Sequence, residues 1–342
     1  MTALEVLVKE YRNDMEECAH SGFISIVSPD GLKYSAGDPE HLMFYRSASK
    51  PVQAMPVVRS GVGKKYGLTG EEVAIMAGSQ RGEFAHIDVI NSVMEKAEIK
   101  EEILIMLPTY PLDQSTREEM LRKNMPPRKI YHNCIGKHLA CILMQRELGG
   151  REEDYWKLES PTQQLIMDYI SKVSGYPREK IKTATDGCGV PVFAVPARYV
   201  ANTFLHLACP ELIGDDDIRP AAERISSLMN QYPRMISGTN ALCTLLNEDA
   251  DIVAKGGALG VYCFGMRKEK LGVAYKVMDG SYDELPLIAA AILKQIRYDK
   301  PETIERLMSR FPTAIKNDCN KKVGEYAAEF KMKENVNCPN SR

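Results

Sequence analysis

The stretch Tyr45-Arg46-Ser47-Ala48-Ser49-Lys50-Pro51-Val52-Gln53 contains the chain's one Ser-x-x-Lys. A helix turns once in about 3.6 residues, so Ser47 and Lys50 fall on one face as neighbours. Pro51 is comfortable only in a helix's first turn, which predicts a helix beginning near Ser47 or Ala48. Ser47 would then stand beside backbone N–H groups that have no intrahelical partner, donors suited to an oxyanion. A desolvated Lys50 would hold off its own proton and take one from Ser47. The plain alternative is a solvated first turn, because a chain of this length carries roughly one Ser-x-x-Lys by chance.

Around that stretch the composition is that of an ordinary globular protein. The 342 residues are 44% hydrophobic and 26% charged, with net charge −2, which leaves no electrostatic reason to expect nucleic acid or an anionic membrane as partner. No apolar run approaches the ~20 residues that span a bilayer. The first twelve residues alternate and carry acidic groups, which reads as a strand and not a signal peptide. Nine cysteines at irregular spacing, with no Cys-x-x-Cys, argue against a disulfide framework and for a cytoplasmic setting. No nucleotide-binding glycine motif is present.

Residues 3–9, 22–28 and 31–37 read as strands, the last two joined by the turn Ser28-Pro29-Asp30-Gly31. Thr69-Gly70-Glu71-Glu72 is a capping box that opens a helix from Val73 to about Ala77. A glycine-flanked turn around Ser79 and a helix from about Phe84 to Lys96 follow. Further helices are expected at 134–148, entered through Asn133, then from Ser160-Pro161-Thr162-Gln163 to Gly175, and near 193–208 and 218–231. Strand patterns return at 252–264 and 272–277, and helices at 284–297 and 301–310 close the fold.

This order predicts an α+β class: a central antiparallel sheet from N- and C-terminal strands, flanked by helices. The expected organisation is a single domain over 1–342. Its sheet lobe takes in about 1–45 and 235–300, its helical lobe about 46–234, and a polar tail follows from 330 to 342. Such a sheet brings Lys255, of Lys255-Gly256-Gly257, beside Ser47. Ser-x-x-Lys followed far downstream by a Lys-x-Gly strand is the layout of serine β-lactamases and penicillin-binding proteins. A β-bulge with a snorkelling surface lysine would read the same way in sequence.

Two further motifs complete a pattern: Asn133-Cys134-Ile135-Gly136-Lys137-His138, and Asp186-Gly187-Cys188-Gly189-Val190-Pro191. Together with Arg46 to Gln53 and Lys255 to Val261, they resemble the Rhizobium-type L-asparaginases, with the motifs in the family's order from about residue 3 to 297. The resemblance implies a serine-β-lactamase-like fold and hydrolysis of L-asparagine to aspartate and ammonia; the competing readings are a related serine amidase, glutaminase or peptidase-like hydrolase on the same fold, or a non-catalytic amino-acid- or zinc-binding homologue. It implies two Ser–Lys pairs, Ser47 with Lys50 and Ser79 with Lys255. Arg46, His138 and Asp186 match substrate-contacting positions, and Cys134, Lys137 and Cys188 match a zinc site. It also implies a homodimer.

Spacing alone leaves the metal open. Cys134 and Lys137 share a helix face, which fits an open tetrahedral site closed by Cys188, and equally two buried cysteines beside a solvated lysine. Three departures bear on substrate preference. Ser79 lies in Ala-Gly-Ser-Gln-Arg-Gly-Glu, not Ala-Ser-His-x-Gly-Glu. Leu259 stands where a glutamate is frequent, and Ala241 to Thr244 replaces a segment that often carries Arg and Asp. The histidines His20, His41, His86, His132 and His206 read as satisfied or exposed.

Overall fold

The computed structural model describes residues 3–335. Its strands are β1 (Glu5–Arg12), β2 (Met15–Ser28), β3 (Gly31–Ala36), β4 (Leu42–Phe44), β5 (Lys182–Thr185) and β6 (Pro191–Pro196). In the last third come β7 (Ile252–Gly256), β8 (Val261–Met266), β9 (Leu271–Val277), β10 (Ala314–Lys316), β11 (Lys322–Ala328) and β12 (Lys333–Glu334). The large sheet runs β10-β11-β1-β2-β9-β8-β7, with β3 pairing β2 and β12 pairing β3, and every pair is antiparallel. The α+β class expected from the sequence is what the structure shows. β4, β6 and β5 make a separate three-stranded sheet at the root of the helical part.

Side chains alternate across a strand, so register sorts them between the two faces. Gly265 and Gly272 are register partners on one face. There the helix Ala197–Ala208 packs so closely that a Cβ on Gly272 would lie 2.1 Å from the Ala201 carbonyl oxygen. Tyr275 has the opposite parity, and its hydroxyl donates to the Leu285 carbonyl at 2.7 Å, which puts the helix Leu285–Gln295 on the other face. Lys255 pairs with Cys263 and Cys263 with Ala274, so Lys255 is on the face that carries the long helical segment 46–247.

The end of the chain departs from expectation. The residues after 310 contribute three strands: β11 pairs along β1, and Lys333 lies opposite Ser35. The segment expected to be a loose tail from 330 is therefore paired as far as Glu334, and residues 336–342 lie outside the described part. These strands are short and half-exposed, with little apolar alternation, so their pairing comes from β1 and β3 and not from a local pattern. No helix among the described residues is long and apolar enough to cross a membrane.

Candidate active site

Arg46–Ser49 form a single 3₁₀ turn, and the α-helix proper runs Lys50–Arg59 with Pro51 in its first turn. The helix thus starts three residues later than Ser47, and the Ser47 carbonyl accepts from the Lys50 N–H. With three residues per turn, positions 47 and 50 still share a face. Arg46 holds φ at +49°, in the left-handed region that a non-glycine residue enters at a cost of about 1–3 kcal/mol. The strain sits immediately before the candidate nucleophile. Behind it, Gly257 is required by close approach, because a Cβ there would stand 2.6 Å from the Tyr45 carbonyl oxygen.

Lys50 is fully buried, and its Nζ donates to Ser79 Oγ at 2.9 Å and to the Asn133 carbonyl at 3.1 Å. Lys255, also buried, reaches the same Ser79 Oγ at 2.9 Å and the Gly256 carbonyl at 2.8 Å. Two lysines from segments some 200 residues apart in sequence thus converge on one hydroxyl. Ser47 is half-buried, and among the described residues its Oγ makes no hydrogen bond to Lys50 Nζ. The expected Ser79–Lys255 contact is present, whereas Lys50 bonds Ser79 and not Ser47, which makes a Lys50–Ser79–Lys255 bridge.

Ser79 is placed by backbone. Its N–H donates to the Ile236 carbonyl at 2.8 Å. Gly136, between Cys134 and Lys137, lets the helix Ile135–Glu147 press on the turn Ile75–Ala77, for a Cβ there would fall 2.2 Å from the Ile75 carbonyl oxygen. Gln80 stands where the family pattern has histidine. It is buried, and its amide donates to the carbonyls of Tyr131 at 3.2 Å and His132 at 2.9 Å, tying the Ser79 turn to the chain entering Cys134.

Burial pushes both of these lysines below their ordinary range, Lys255 to about 8. Two ammonium groups around one oxygen in a dry site repel, so each lysine adds to burial in favouring the neutral form of the other.

The second cluster adjoins the first. Lys137 Nζ lies 3.1 Å from Cys188 Sγ and 3.3 Å from Asp186 Oδ2, and Arg46 Nε donates to Asp186 Oδ1 at 3.0 Å. A hydrogen bond from Cys188 and the nearby lysines hold the Cys134 thiol well below its usual range, while the same bond and burial push Cys188 up. Burial opposes charge on Lys137, but the Cys134 thiolate, Cys188 and Asp186 raise it. Burial likewise opposes charge on Asp186, and Lys137 and Arg46 hold its carboxyl below the usual range.

The donor atoms of Cys134, Asp186 and Cys188 lie within 4.8 Å of one another. Two sulfurs and an oxygen in that space suit zinc. Lys137 joins such a set only after losing a proton that its neighbours favour. Asp186, expected at the substrate, proves to be shared between Arg46 and this cluster.

His138 is buried and neutral, its Nδ1 within 2.7 Å of the Tyr155 hydroxyl, and among the described residues its Nε2 has no partner. Leu259 is exposed at φ +58°, its N–H donating to the Tyr282 hydroxyl at 2.8 Å. Sequence reasoning missed Tyr155 and Tyr282; Cys243, in the Ala241 to Thr244 segment, accepts the Gly256 N–H on its sulfur at 3.1 Å, a contact the sequence did not suggest. None of these lies in a local motif.

No curated protein matches the sequence. Three solved structures illustrate the structural likeness. A β-lactamase from Mycobacterium bovis is 14% identical with TM-score 0.42, over 80% of this chain and 94% of that one. A class C β-lactamase from Rhodobacter sphaeroides is 13% identical with TM-score 0.41, over 81% and 94%. A Bacillus glutaminase is 14% identical with TM-score 0.36, over 81% and 91%. The family described as L-asparaginase II matches residues 8–328, nearly the whole chain. The protein is therefore a member of the L-asparaginase II family, an assignment that supports amidohydrolase chemistry.

Proposed function

We propose that the protein hydrolyses L-asparagine to L-aspartate and ammonia through an acyl-enzyme on Ser47. The observation that carries this reading is the bridge of Ser79 Oγ to Lys50 and Lys255, each at 2.9 Å. It supplies a pair of amines whose hold on the proton burial weakens, the first of them one turn after the half-buried Ser47.

Ser47 Oγ forms a bond to the side-chain amide carbon while Lys50 takes its proton. The C–N bond then breaks, the proton passes to the leaving nitrogen, and ammonia departs. Water adds to the ester carbon, the Oγ–C bond breaks, and the proton returns to Ser47. Ser79 connects Lys50 to Lys255, so a proton given to one lysine is shared with the other. Arg46 and Asp186, side by side, offer both charge signs to the α-carboxylate and α-ammonium of an amino acid, and His138 Nε2 is a free polar atom nearby. Zinc belongs in this reading at Cys134, Lys137 and Cys188, with Asp186 orienting the set. When bound, it would fix these side chains and polarise an adjacent water or carbonyl. A homodimer in the cytoplasm, with each chain a single amidohydrolase domain, completes the proposal.

A second reading rests on the same bridge: the hydroxyl held by both lysines, Ser79, makes the attack. Ammonia release from asparagine and glutamine, followed by peptide mapping after inactivation with a diazo-ketone amino-acid analogue, separates the two. Ser47→Ala is expected to abolish release from asparagine, and the adduct is expected on Ser47. An adduct on Ser79 transfers the nucleophile to that residue. Undiminished turnover in Ser47→Ala rejects the first reading. Faster release from glutamine reassigns the substrate, and asparagine binding without ammonia makes the protein a binding homologue.

A further inference from the structure

On the opposite face of the large sheet from Lys255, four side chains form a cluster that the chemistry above does not use. Val8 of β1 is the register partner of His20 of β2, and Glu10, two residues on, shares their face. His20 Nε2 lies 2.9 Å from Glu10 Oε1 and 3.3 Å from Glu284 Oε1, while its Nδ1 lies 2.7 Å from Asp279 Oδ2. Glu284 is 2% exposed, and its Oε2 has no hydrogen-bond partner. Among the described residues no lysine or arginine forms an ion pair with Glu10, Asp279 or Glu284.

From this geometry we propose that Glu10, His20 and Glu284 bind a divalent transition cation such as manganese or zinc, at a site separate from the thiolate cluster.

Three features carry the assignment. The donor atoms lie within 4.8 Å of one another, and the 2.9 and 3.3 Å edges are those of ligands about 2.0–2.2 Å from a common metal in octahedral or tetrahedral geometry. Asp279 on Nδ1 is the arrangement that fixes a ligating histidine's tautomer and turns Nε2 toward the ion. The buried Glu284 Oε2 is an acceptor that the protein leaves unsatisfied, and a cation would satisfy it.

An imidazolium in the same place explains less. Its single Nε2–H cannot serve both Glu10 and Glu284, and it leaves Glu284 Oε2 orphaned. One positive charge would also face three carboxylates. Nitrogen and oxygen donors without sulfur favour manganese or zinc over softer ions.

The ion would act on the loop between β9 and the helix Leu285–Gln295. Asp279 and Glu284 bound that loop, and within it the Tyr282 hydroxyl accepts the Leu259 N–H, two residues after Gly257, which packs on the Tyr45 carbonyl. A metal here is a staple that acts across the sheet through Tyr282.

The test uses the full-length protein stripped by chelator and titrated with Mn2+, the free ion being followed by electron paramagnetic resonance. About one equivalent should bind. His20→Ala and Glu10→Gln should each weaken binding at least about tenfold, and Cys188→Ser should leave it unchanged. A second readout is limited proteolysis within 278–284, which should slow on adding Mn2+ or Zn2+ in wild type and not in Glu10→Gln. Near-UV circular dichroism establishes that each variant is folded. Where His20→Ala is not, the half-buried Glu10→Gln decides. Binding that is absent in wild type, unchanged in Glu10→Gln, or lost in Cys188→Ser overturns the proposal.

Discussion

Lys50 and Lys255 on one side of the candidate active site, and Lys137 on the other, are the same residue type at nearly the same depth, yet their acidities move in opposite directions. The first two are hydrogen-bonded to a hydroxyl and backbone carbonyls, and burial outweighs the more distant pull of the Cys134 thiolate on them. Around Lys137 lie the Cys134 thiolate, Cys188 and the Asp186 carboxylate, and these outweigh the same burial. Burial alone therefore does not make a lysine a base; what decides is how much negative charge stands against it and how close. The first pair is suited to moving protons, and the second lysine to holding anionic groups together or, once deprotonated, to joining a metal.

The contrast breaks most sharply under substitution. Lys50→Met should lower ammonia release by roughly 10²–10⁴-fold while melting at or above the wild-type temperature, since it removes an uncompensated buried amine. Lys137→Met should melt lower, because it strands a thiolate and a carboxylate in the interior. Equal destabilisation of the two variants would erase the distinction.

A smaller effect is expected at the shared carboxylate. Asp186→Asn should cost about 10–100-fold in metal affinity or activity, measured by zinc content and by kcat/KM, because it loosens Arg46 and Lys137 together. A change confined to KM would make Asp186 a substrate contact alone.

The mildest test is acidity. If Lys255 must be neutral, activity should fall about tenfold for each pH unit below about 8, and a rate flat from pH 6 to 9 would remove it from the proton path. The sign for stability follows from the depressed value. Below about 8 both folded and unfolded chains carry the proton. Between about 8 and the ordinary 10.5 only the unfolded chain does, so this lysine's contribution to stability rises with pH across that window. Chemical denaturation at several pH values reads that slope.

Much of this was legible in the residues. The helix at Phe84–Lys96 and the Thr69 capping box formed where periodicity and capping chemistry put them. Residues three apart on one turn, such as 47 with 50 and 134 with 137, could be put on one face from spacing, though Lys50 turns to Ser79 and Lys137 to Cys188. The Ser160 cap also formed, but Gln163 sends its side-chain amide to the Tyr155 carbonyl and does not close the box, a tertiary partner overriding a local one. What spacing cannot reveal is convergence across the chain. The meeting of Lys50 and Lys255 at Ser79, and of Arg46 and Lys137 at Asp186, depends on how the sheet brings its two halves together. His20 read as an isolated histidine because Glu10 and Glu284 reach it through strand register and helix packing.

The pairing of β11 along β1 has a consequence for how the molecule is made. Val8 meets Ala328 and Arg12 meets Gly324, so β1 waits for a strand that leaves the ribosome long after it. Until then its outer edge offers unpaired amides and carbonyls to any other extended segment. While the residues between β1 and β11 are being made, the nascent chain therefore carries an open template, a stage at which a chaperone would have the most to protect.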